Sequence, residues 1–211
     1  MRHPTVAEFR EILLEEPLDQ VVTRYVFGGE PYVFRRTPAA FRLLRGHLCA
    51  RLGLAEENIV IVGSAKTGFS LSPSSFPRRF TDASDIDVVV VDQTLFDRIW
   101  LTILRWHYPR RRARLDGVDW KWKRDRTDEL YWGWFFPDGM RFKGLSFPEA
   151  LKPLRDISSA WFDAFRSLSA FPEFAVWEVS GKLYRTWDHA LEYHVDGLRQ
   201  IKERIQGSEG E

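Results

Sequence analysis

Apolar residues recur along this chain with two different periods. Val6, Phe9, Ile12 and Leu13 share one helical face and predict a helix over 5–16, with Thr5 as its N-cap. Ala40, Leu44, Leu48 and Leu52 repeat every fourth residue behind Thr37-Pro38, a cap followed by proline at the first helical position, and Gly53 fits the stop. Leu95, Ile99, Ile103 and Trp106 predict a helix over 94–107. Trp161, Phe162, Phe165 and Leu168 predict one over 158–170. Leu191, Val195, Leu198, Ile201 and Ile205 predict the last, over 187–205.

Elsewhere the helical period gives way to continuous apolar runs. Ile59-Val60-Ile61-Val62 and Asp85-Ile86-Asp87-Val88-Val89-Val90-Val91 are short and valine-rich, as strands covered on both faces are. Tyr32-Val33-Phe34 reads as a short extended piece, and 174–185 as a strand or a hairpin around Ser180-Gly181. Residues 108–126 read as basic and irregular. Helices and strands in this order predict an α/β (α+β) fold, a small mixed β-sheet flanked by helices.

Composition sharpens the class. The 211 residues are 44% hydrophobic, with 16 Phe and 9 Trp, ample for one packed domain over 1–206 with a disordered tail at 207–211. No run reaches the roughly 18 apolar residues of a membrane span. The charged start, lacking an apolar stretch, and the single Cys49 lead us to expect a cytoplasmic protein. The formal net charge of +1 argues against a broadly basic nucleic-acid coat, but it averages unlike regions: Arg105 to Arg126 holds nine Lys/Arg against three Asp.

Chemistry concentrates in two segments. In Ser84-Asp85-Ile86-Asp87 the two carboxylates point to the same face of a strand, about 6–7 Å apart at Cα. Such a pair repels itself and loses hydration when buried, and a divalent cation relieves both penalties. In Gly63-Ser64-Ala65-Lys66-Thr67-Gly68 a buried strand ends in Gly-Ser and turns into a helix, which presents free backbone N–H groups to an anion. Ser64 adds a hydroxyl there, and Lys66 a positive charge if it faces the site. The segment is not a P-loop, because Ala65 rather than glycine precedes the lysine. The histidines lack zinc-ligand spacing.

Gly63-Ser64-x-x-x-Gly68 followed by Ser84-Asp85-Ile86-Asp87 resembles the signature of the DNA polymerase β-like nucleotidyltransferase superfamily, and the whole chain looks like a small bacterial nucleotidyltransferase-domain protein. The resemblance covers the core motifs over 59–91. It leaves 93–170 as a helical and aromatic insertion and 174–205 as the late strand and C-terminal helix. It implies Mg²⁺ (or Mn²⁺) on Asp85 and Asp87, and nucleotide phosphates on Gly63, Ser64 and Ser84. It also implies a third carboxylate on a later strand, for which Glu178 is the best candidate, with Asp119, Asp125 and Glu129 competing. The expected activity is transfer of NMP from an NTP, ATP among them, to a hydroxyl acceptor.

The 20 residues between Ser64 and Asp85 exceed the spacing of minimal members and are expected to line the nucleotide site. The basic segment 105–126, with Trp120-Lys121-Trp122-Lys123, serves equally as an RNA or protein acceptor surface and as a half-buried edge strand. Lys182 or Arg185 reaches the phosphates if the late strand carries Glu178. Should the third carboxylate be missing, the chain is instead a nucleotide- or nucleic-acid-binding module acting as a sensor, antitoxin or partner subunit.

Overall fold

The computed structural model describes residues 3–108, 118–137 and 149–208. Helix α1 spans Val6–Glu15 behind a reciprocal cap: the Glu8 amide donates to Thr5 Oγ1, and the Thr5 amide donates to the Glu8 carboxylate. A short helix α2 (Leu18–Val21) runs into a π-helical turn over Val22–Phe27. Helix α3 (Pro38–Leu52) has proline in its first turn and ends at Gly53, whose φ of 68° is the left-handed conformation glycine adopts freely.

Strand β1 (Ile59–Val62) leads directly into α4 (Gly63–Thr67), a helix of only five residues. Strand β2 (Ile86–Val91) feeds α5 (Gln93–His107), capped by the Asp92 carboxylate, which accepts from the Leu95 amide at 2.6 Å. Helix α6 (Val118–Tyr131), strand β3 (Trp134–Phe135), helix α7 (Lys152–Arg166), strand β4 (Val179–Tyr184) and helix α8 (Trp187–Ser208) complete the described chain.

The four strands form one mixed sheet in the order β1-β2-β4-β3. β1 pairs antiparallel with β2, placing Val62 opposite Asp87. β2 pairs parallel with β4, placing Asp87 opposite Ser180 and Val89 opposite Lys182. β3 is antiparallel to β4, with Trp134 opposite Tyr184. A parallel pair needs a long crossover, and the chain between β2 and β4 supplies it.

Alternation along the strands builds two cores. Ile59, Ile61, Ile86, Val88, Val90 and Leu183 pack under α3, α5 and α7, where Trp161 and Phe165 are buried. Val62, Val89, Val91 and Tyr184 pack on the other face against Phe9 and Leu13 of α1 and Leu198 and Ile201 of α8. The expected α/β class with a small mixed sheet is therefore the architecture of the chain.

Several local expectations are corrected. Tyr32–Phe34 is a 3₁₀ turn. Residues 118–131 are helical, so the edge-strand reading of 120–123 fails: a continuous 14-residue helix satisfies its own backbone there. Of the two readings of 174–185, the strand holds over Val179–Tyr184 and the hairpin does not: continuous parallel pairing with β2 carries β4 through Ser180-Gly181, and glycine at 181 leaves room for Phe165 of α7. α7 begins at Lys152 and α8 continues to Ser208, each beyond the predicted limits. The arginines at 110–112 and 114 and the tail at 209–211 lie outside the described residues. Among the described residues, no helix is long and apolar enough to cross a membrane.

Candidate functional site

The site begins where β1 ends. Ile86 and Val88 turn into one core, so pleating sends Asp87, between them, to the opposite face, toward α8. Across the ladder Val62 is the partner of Asp87, and the next residue, where β1 gives way, is Gly63, whose φ is +65°. A Cβ at that residue would lie 2.8 Å from Asp87 Oδ2. Glycine is therefore required twice, for its backbone conformation and for the space the carboxylate takes.

Gly63 and Asp87 both line a cleft of about 1310 Å³, walled by β4, by Tyr131–Phe136 and by α8. Asp87 is exposed to this cleft, while the protein around it removes part of the hydration of its carboxylate. Burial, together with the neighbouring Asp85, pushes its carboxyl above the usual range, and Lys182 opposes the rise. Asp85 lies exposed just before β2 and is not among the residues lining the cleft; it acts on Asp87 through its charge.

The other predicted residues are distributed as follows. Ser64 is half-buried in the first turn of α4, and its carbonyl accepts from Gly68. Ser84 is buried, and its hydroxyl accepts from the Thr81 amide at 3.0 Å; it shapes the turn before β2 instead of facing the cleft. Lys66 is corrected outright. It is 3% exposed and donates to the carbonyls of Gly28 and Gly29 at 2.5 and 2.6 Å, tying α4 to the loop after the π-helical turn. Burial lowers its pKa to about 8, with Glu30 opposing.

Glu178 precedes β4 and is exposed; its carbonyl accepts from the Ile86 amide at 2.9 Å, which brings it alongside Asp85 in the parallel register. Its carboxylate is not gathered with the pair: among the described residues, no three His, Cys, Asp or Glu side chains converge as metal ligands. Glu129 is buried instead in an ion pair with Arg126 at 2.6 Å. Leu71 to Ser74, within the long connection from Ser64 to Asp85, line the cleft.

Lys182 stands on the Asp87 face of β4, beside Val89, and lines the cleft. Its amine lies 3.8 Å from the ring centre of Tyr193, 4.5 Å from Trp134 and 4.6 Å from Phe136. Burial lowers its pKa to about 8, while Asp87 and Glu129 raise it. Arg185 turns away, pairing with Asp97 at 2.9 Å. Tyr184 and His194 close the floor. Burial drives the Tyr184 hydroxyl far above its usual range and the His194 imidazole down to about 4.

Sequence reasoning reached Lys182 only as a conditional phosphate contact and missed its aromatic surround. The i, i+2 alternation of Trp134 with Phe136 and of Lys182 with Tyr184 was the available signal. Comparison of the chain with family models, with curated proteins and with solved structures finds no match.

Proposed function

We propose that the chain is a Mg²⁺-dependent nucleotidyltransferase of the DNA polymerase β-like type, moving NMP from an NTP to a hydroxyl acceptor. The observation that supports this most is the placement of Asp87 against Gly63 at the floor of the cleft, since it joins the two motifs of the resemblance in one place.

On this reading, the glycine turn lets phosphate oxygens approach the backbone, and Ser64 adds a hydroxyl at the same turn. Asp85 and Asp87 would hold Mg²⁺ or Mn²⁺, which neutralises phosphate charge and favours the deprotonated acceptor hydroxyl. Lys182, fixed by its aromatic neighbours, places a positive charge beside Asp87 on the cleft side. The cleft walls orient the acceptor oxygen toward the α-phosphorus; the new P–O bond forms as the bond to pyrophosphate breaks.

Incubation with each α-labelled NTP, Mg²⁺ or Mn²⁺ and cell extract tests the reading. Label should appear on an acceptor with wild type and not with Asp87→Asn. Label transfer that survives Asp87→Asn would refute the assigned site.

A second reading is favoured by the lack of a third acid beside the pair among the described residues. The chain then binds nucleotide without turning it over, as a sensor, antitoxin or partner subunit. Saturable NTP binding dependent on Asp87, with no label transfer to any acceptor, would select it.

A further inference from the structure

We infer that Tyr193 is a positioning residue for the Lys182 amine: with Trp134 and Phe136 it holds the ammonium on ring faces in place of a counter-ion, which keeps the N–H donors open to a condensed-phosphate ligand. The inference rests on the nucleotide reading of this cleft, in its catalytic or its binding form, because that reading supplies the phosphates.

The first observation is how the amine is held. Its nitrogen lies 3.8 Å from the ring centre of Tyr193, 4.5 Å from that of Trp134 and 4.6 Å from that of Phe136. The rings brace one another edge to face. Trp134 meets Phe136 at 5.7 Å and Tyr193 at 6.1 Å, and Tyr193 meets Tyr184 at 5.7 Å. They come from β3, the residue after it, and α8, so the enclosure forms only once both elements have docked on β4.

The second observation is what the amine lacks. Among the described residues it has no hydrogen bond and no ion pair; Asp87 and Glu129 act on it through their fields alone. Lys66 gives the contrast, with its amine committed to the carbonyls of Gly28 and Gly29. A ring face attracts the charge but presents no oxygen, so a phosphate oxygen entering the cleft has no oxygen to displace. The side chain has also given up rotamer freedom in advance, which a surface lysine loses only on gripping its anion.

The third observation is place. Lys182 lies two residues beyond Ser180, the ladder partner of Asp87, and therefore shares the Asp87 face of the sheet. The offset along the strand is about 7 Å. Gly63, Asp87 and Lys182 line the same cleft. A condensed phosphate laid from the Gly63 turn along this face runs past the amine.

Calorimetric titration of the full chain with inorganic tripolyphosphate at fixed Mg²⁺ tests this as a double-mutant cycle. Lys182→Met should weaken binding about tenfold. Tyr193→Leu should weaken it about three- to tenfold and Phe136→Leu severalfold, while Tyr193→Phe, which keeps the ring face, stays within about twofold of wild type. In the Lys182→Met background, Tyr193→Leu should add nothing. Tyr193 and Phe136 are 42% and 37% exposed, so neither leucine variant opens the core, and thermal melts check that each is folded. Tyr193→Leu that binds like wild type, a loss of equal size in the Lys182→Met background, Tyr193→Phe as weak as Tyr193→Leu, or wild type that does not bind tripolyphosphate would each overturn the inference. The two readings fail separately. Full coupling of Tyr193 to Lys182 without NMP transfer to any acceptor sinks the nucleotidyltransferase and leaves the ring-held lysine standing. NMP transfer without that coupling sinks the positioning role and leaves the enzyme.

Discussion

The Asp87 carboxylate fills the space that a side chain on Gly63 would need, with its Oδ2 2.8 Å from the position of that missing Cβ. The contact joins Gly63, the first residue after β1, to the second residue of β2, one register step from the ladder pair of Val62 with Asp87. Gly63→Ala therefore has two costs, the positive φ and the collision. Together they should destabilise the chain by about 1–3 kcal/mol in urea denaturation. Adding Asp87→Ala should recover the steric part and leave the backbone part, so the double variant should be more stable than the sum of the two single effects.

Asp87→Asn should stabilise the fold while removing label transfer. The folded carboxyl titrates above its ordinary value of 3.8, so its charge opposes folding increasingly as the pH rises above 3.8 and fully once the pH exceeds the folded pKa. Below pH 3.8 the group is protonated in both states and the penalty vanishes. Thermal melts should thus favour Asp87→Asn at pH 7 and show no difference in strong acid. A variant less stable than wild type at pH 7 would contradict this.

Lys66 separates a structural role from a phosphate-binding one. Lys66→Met removes the donor for the Gly28 and Gly29 carbonyls and should cost about 1–3 kcal/mol of stability. Nucleotide affinity, read by equilibrium dialysis on the folded fraction, should change by less than about twofold, against a large loss for a phosphate contact.

Two buried groups should give opposite pH signatures. The Glu129 pKa is pushed by burial to about 7 despite Arg126, so its unfavourable contribution is absent below 4.5 and complete above pH 7. Glu129→Gln should remove a loss of stability that wild type undergoes as pH rises through that window. The His194 pKa is lowered to about 4, so its penalty is absent above 6.5 and grows as pH falls toward 4. His194→Asn should flatten that acid-side loss. Denaturation midpoints from pH 4 to 8 for both variants check the two signs.

Gly181→Ala tests the packing of α7 on the sheet. A Cβ there would meet Phe165 Cζ at 2.3 Å, so the helix must shift, at about 1–3 kcal/mol. A neutral substitution would show that α7 yields easily.

The elements legible in the sequence are those decided by neighbours in the chain. Thr5 with Glu8, Pro38 with Gly53, and the valine run after Asp87 each carry their signal within a few residues, and the structure places α1, α3 and β2 on them. The alternation of Asp85, Ile86 and Asp87 likewise made the two carboxylates partners before any packing was known. Residues 118–131 were less legible, because tryptophan alternating with lysine suits either period, and the helix prevails through its continuous backbone hydrogen bonds.

Tertiary structure alone decided the rest. Lys66 is four residues from a strand end and was expected at the phosphates, but its amine is claimed by carbonyls 37 and 38 residues earlier. Lys182 meets Asp87 because β4 docks parallel to β2, and meets Trp134 and Tyr193 because β3 and α8 close over it. Register and long-range docking set these contacts. A buried cation goes wherever the fold offers carbonyls, carboxylates or ring faces, and a local pattern does not encode where those will be.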